Sequence, residues 1–120
     1  MMPYERELLA WVYLSVVADC RERGIEPIFM YLPTVTESLE RWEAERRTEV
    51  LDLAAQAGFR VIDLTGVYEP YKPADLWILE NDTHPNALGN QLIADRLYEE
   101  LRQTHAVASL AGSSAEARRQ

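Results

Sequence analysis

Residues 28–32 read Ile-Phe-Met-Tyr-Leu, an unbroken apolar run closed by Pro33, and no other feature limits the fold of the chain as strongly. A strand with one face in water alternates apolar and polar residues. A run apolar at every position needs cover on both faces, the condition of a strand inside a parallel sheet. A second short run, Phe-Arg-Val-Ile-Asp-Leu at 59–64, follows a stretch of helical pattern. Strand, crossover helix and second strand make a right-handed βαβ unit. Two strands alone form a poor sheet, which in water normally needs a third strand or substantial helix cover.

The flanks extend this order to α-β-α-β-loop-α. Residues 4–23 read as a helix stopped by Gly24, with Arg21 and Arg23 placed to favour its C-terminal dipole. Between Leu8 and Ala18 only Ser15 is not apolar. That stretch is about half the length of a membrane span. Its flanks, Pro-Tyr-Glu-Arg-Glu and Asp-Cys-Arg-Glu-Arg, are not those of a signal peptide. A core helix covered on more than one side is expected, with Cys20 on the face of Val12 and Val16 as a buried, inert thiol. A lone cysteine rules out an internal disulfide and leaves too little thiol for a structural zinc site.

A second helix is expected over 37–57, capped by Thr34 or Thr36 and stopped by Gly58. Val50, Leu53, Ala54 and Ala57 form its inner stripe, and Glu37/Arg41 and Glu43/Arg47 form a solvated face. Residues 66–85 hold three prolines and no sustained periodicity, so a long loop is expected there. A last helix runs from Asn86 to about Gln103, with Leu88, Leu92, Ile93, Leu97 and Leu101 on one side. One domain over 1–103 and a disordered tail over 104–120 follow from these patterns. The net charge of −8 supplies no electrostatic footprint for nucleic acid or anionic lipid, so neither is expected as a partner.

The loop and last helix read Glu-Asn-Asp-Thr-His-Pro-Asn-Ala-Leu-Gly-Asn from Glu80 to Asn90. A serine hydroxyl is a weak nucleophile near neutral pH, and a neutral imidazole beside it can take its proton. The imidazole needs a carboxylate on its other nitrogen to fix the tautomer and stabilise the imidazolium. Asp82 and His84 are close enough for a tight turn to join them. Pro85 stiffens the exit and Asn86 can cap the following helix. The loop leaves the C-terminal end of the last strand, where open α/β sheets bind ligands. Pro33, Thr34, Tyr68 and Trp77 could border the same crevice, though packing explains each of them.

This block resembles the last conserved segment of SGNH/GDSL-type serine hydrolases, in which an Asp and a His precede Pro-Asn and a helix. The likeness spans roughly residues 5–102, with the His-Pro-Asn block as its specific part. It implies a flavodoxin-like three-layer α/β/α parallel sheet, present only as its C-terminal α-β-α-β-α portion. It also implies an ester hydrolase or acyltransferase with His84 as general base and Asp82 as its partner, no cofactor and no metal. Many members place the acid three residues before the histidine, where this chain has Asn81. An amide cannot stabilise an imidazolium as a carboxylate does, so the role falls to Asp82.

The family's Gly-Asp-Ser block and its Gly and Asn oxyanion donors have no counterpart here. Ser15 lies in the apolar helix, Ser38 on the charged one, and Ser109, Ser113 and Ser114 in the tail. The expectation is therefore a portion of a hydrolase, inactive alone, whose full-length form acts on a small-molecule or carbohydrate ester. Self-association through the exposed strand edge is expected to accompany it. The rival is a non-catalytic α/β interaction module that pairs through that edge. A response-regulator-like reading, with Asp63 as phosphoacceptor, lacks the acidic pair and the downstream lysine it needs.

Overall fold

A computed structural model describes residues 1–35, 41–80 and 82–103. The tail expected over 104–120, the start of the second helix with Thr36, and Asn81 lie outside the described residues. Helix α1 spans Pro3–Glu22, strand β1 Ile28–Tyr31, helix α2 Arg41–Ala57 and strand β2 Arg60–Asp63. A short 3-10 helix at Pro73–Leu76 leads into strand β3, Trp77–Leu79. Strand β4, Asp82–Pro85, and helix α3, Ala87–Arg102, complete the order. The described residues form a mixed α/β arrangement with three α-helices, one parallel strand pair and one antiparallel pair.

β1 and β2 run parallel, with Ile28 opposite Arg60 and Tyr31 opposite Asp63, and α2 makes the crossover. Alternation puts Phe29, Tyr31, Val61 and Asp63 on one face of the pair. On that face Tyr13 of α1 meets Phe29 and Phe59 at ring-centroid distances of 5.3 and 5.6 Å, and the two phenylalanines lie 5.8 Å apart. The tilted and edge-on geometry suits the ring quadrupoles. Val17, Leu53, Ala54, Ala57, Ile62 and Leu64 are buried in the same unit. Gly58, at φ 103°, ends α2 in a conformation that L side chains avoid, and a Cβ there would lie 2.5 Å from the Arg21 guanidinium.

Helix α1 departs from expectation in its buried face. Val12 and Val16 are exposed, and the packed side is Leu9, Ala10, Tyr13 and Val17, with Cys20 half-buried as a free thiol. A helix apolar all round carries no preference in its sequence, so its neighbours chose the face. Trp11 and Leu8 remain 66% and 60% exposed on the other side. Similarly, Leu88 at the start of α3 is exposed, whereas Leu92, Ile93, Leu97 and Leu101 are half-buried. Among the described residues, no helix is long and apolar enough to cross a membrane.

Residues 66–85 are not the irregular loop expected. The 3-10 helix and the antiparallel β3–β4 pair occupy its second half, with Trp77 opposite Pro85 and Leu79 opposite Asp82. Three- and four-residue strands show no periodicity to read, and they exist only because each finds the other. Trp77 fixes the pair to the rest of the chain by donating its indole N–H to the Val35 carbonyl at 3.0 Å. Val35 and Leu76, both fully buried, seal that junction.

Candidate functional site

Asp82 and His84 both lie in β4, two residues apart on one extended segment. Side chains at i and i+2 share a face of a strand, so extended backbone brings them together and no tight turn is required. One oxygen does both jobs: Asp82 Oδ1 accepts the His84 backbone N–H at 3.1 Å and lies 2.5 Å from His84 Nδ1. A carboxylate only accepts, so Nδ1 carries a proton, and in the neutral ring Nε2 presents its lone pair. The imidazole is 81% exposed, and no described group hydrogen-bonds Nε2. The His84 side-chain hydrogen bond, and then its backbone N–H, hold the Asp82 carboxyl below its ordinary range. Asn81, the amide at the spacing where many members of the resembled family carry their acid, lies outside the described residues.

The backbone after His84 is held by local chemistry. Asn86 caps α3 by accepting the Gly89 N–H on Oδ1 at 3.0 Å. Its Nδ2 donates to the carbonyls of Asp75 at 2.8 Å and Trp77 at 3.2 Å, and its own N–H donates to Leu76 at 2.7 Å. Asn90 Nδ2 holds the Pro85 carbonyl at 3.1 Å. Gly89 is buried, and a Cβ built on it would stand 2.8 Å from Pro85 Cβ. His84, Pro85, Asn86, Gly89 and Asn90 of the stretch therefore each have a contact of their own. A cap and an i,i+2 pair are local enough to read from sequence. The reach of Asn86 to residues 75–77, and the need for glycine at 89, are not.

The residues named as possible crevice lining range from buried to exposed positions. Pro33 is buried, Thr34 is exposed, and Trp77 is engaged with Val35. The Tyr68 hydroxyl is buried with no hydrogen-bond partner among the described residues, and burial raises its pKa. At the end of β2, Asp63 Oδ1 accepts from the Thr65 N–H at 3.0 Å and hydroxyl at 2.6 Å, while Arg47 donates to that hydroxyl at 2.7 Å. Asp63 thus terminates its strand and anchors α2.

Ser15, the sole serine among the described residues, donates its hydroxyl to the Trp11 carbonyl at 2.8 Å within α1. Among the described residues, no group of three or more His, Cys, Asp or Glu side chains could hold a metal ion. Fold and site together define a mixed α/β chain carrying an oriented Asp–His pair at the entry to a capped helix. Comparison with protein-family models, with curated proteins and with solved structures finds no match in any of the three.

Proposed function

We propose that this chain is the Asp–His-bearing part of an SGNH/GDSL-type serine hydrolase acting on acyl or O-acetyl esters. In this proposal β1 and β2 belong to a flavodoxin-like three-layer sheet whose other strands carry the nucleophile serine and the oxyanion donors. One observation carries it: Asp82 Oδ1 stands 2.5 Å from His84 Nδ1, while no group among the described residues hydrogen-bonds Nε2. In the complete site, Nε2 takes the proton of the serine hydroxyl as its oxygen attacks the ester carbonyl. Asp82 stabilises the resulting imidazolium, which then protonates the departing alkoxide and leaves an acyl-serine. The same base next activates water, or an acceptor hydroxyl in acyl transfer, and the serine is regenerated.

Complementation tests this directly. The chain alone is expected to resist fluorophosphonate labelling and to leave a short-chain nitrophenyl ester intact. Supplied with a polypeptide bearing the Gly-Asp-Ser strand and oxyanion donors, it should gain both activities, and His84→Ala should abolish them. Labelling of the chain alone, or no gain on complementation, sinks the proposal. A second reading, the non-catalytic interaction module, draws on the outer edge of β1. That edge is unpaired among the described residues, and Ile28, Met30 and Leu32 beside it are 37%, 38% and 44% exposed. A chain that captures a partner strand but never supports acyl transfer would decide for the module.

A further inference from the structure

The His84 side chain is 81% exposed, and among the described residues its ring has one side-chain hydrogen bond, with Asp82. Packing therefore does little to set its orientation, and the backbone on either side has to. Upstream, Asp82 is in register with Leu79 of β3. Downstream, two residues beyond the ring, Asn86 makes more bonds than a cap requires. Helix capping needs one acceptor, which Ser, Thr or Asp supplies as well as Asn. The two further bonds, from Nδ2 to the carbonyls of Asp75 and Trp77, satisfy no backbone N–H of α3. They tie the N-terminus of α3 to the 3-10 helix and to the start of β3, the strand against which β4 is laid. Only a primary amide offers one acceptor and two donors on a side chain this short.

We infer that Asn86 is a positioning residue for His84, acting through its amide clamp on residues 75–77 to keep β4 where Asp82 can hold Nδ1. The inference rests on the reading of Asp82 and His84 as a catalytic pair. Asn86→Asp keeps the acceptor for Gly89 and removes both donors. Asn86→Ser keeps a neutral cap and loses at least one of them.

The readout is the neutral-imidazole tautomer of His84 in the full chain, from two-bond proton–nitrogen correlations in alkaline buffer, with far-UV circular dichroism as the check on α3. Wild type should show an excess of the Nδ1–H form over Asp82→Asn. Both Asn86 variants should keep their helical signal and lose most of that excess. An unchanged tautomer in either neutral or charged variant overturns the role of Asn86 while leaving the pair intact. A change in Asn86→Asp alone is the effect of an added charge and overturns it equally. No difference between wild type and Asp82→Asn would remove the pair itself, and with it both this inference and the proposed function.

Discussion

Replacing Gly89 by alanine sets two effects of opposite sign against each other, and the geometry decides between them. Alanine favours a helix over glycine by about 1 kcal/mol. Against this, the new Cβ would lie 2.8 Å from Pro85 Cβ, when carbon atoms pack at about 3.5–4.0 Å. The neighbour cannot yield cheaply, because Pro85 is a rigid ring whose carbonyl is held by Asn90 and which pairs in register with Trp77. Nor can the helix retreat freely, since the Leu76 carbonyl and Asn86 Oδ1 stand at 3.6 and 3.8 Å on the same Cβ. Overpacking of this kind costs about 1–3 kcal/mol, and any shift also stretches the Gly89 N–H to Asn86 bond, a cap contributing about 1 kcal/mol. The balance is a net loss of about 1–2 kcal/mol, or a fall in Tm of roughly 5–15 °C for a domain of this size. Thermal unfolding followed at 222 nm measures it, and the His84 Hε1 resonance should move as well, because Pro85 is its neighbour. A Tm equal to or above wild type would show that Pro85 gives way without cost and that close approach is not why glycine stands there.

Three further outcomes are expected. Because His84 holds the Asp82 carboxyl below its ordinary value, the stability it contributes is present above the unfolded-state pKa of about 3.9 and is lost as pH falls through the lower folded value; a carboxyl carbon titration of Asp82 with a midpoint at or above about 3.9 would refute this. Thr65→Val removes the hydroxyl shared by Asp63 and Arg47 beside a guanidinium whose Nε has no partner among the described residues, so the urea midpoint should fall by the equivalent of about 1–2 kcal/mol, with Thr65→Ser close to wild type. Trp11→Gln combined with Leu8→Gln, at positions 66% and 60% exposed, should change stability by less than about 0.5 kcal/mol each yet reduce dye binding and association; a wild-type chain that sediments as a compact monomer and binds no hydrophobic dye contradicts the expected self-association.

What the sequence determined alone is whatever closes over a few residues. The apolar run at 28–32 and the Phe-Arg-Val-Ile-Asp-Leu segment became the paired strands, and periodicity with stops at Gly24 and Gly58 placed the helices. The Asn86 cap spans three residues and the Asp82–His84 contact two, so both were legible before any packing was known. Tertiary structure decided the rest. It chose the Tyr13 and Val17 side of a helix apolar all round, and it turned a proline-rich stretch into the β3–β4 pair that positions His84. It also joined Trp77 to Val35 across 42 residues and brought Pro85 against Gly89. Caps and i,i+2 bonds depend on the backbone conformation of their own segment, whereas the face a helix buries and the partner a short strand finds depend on which distant surfaces collapse together.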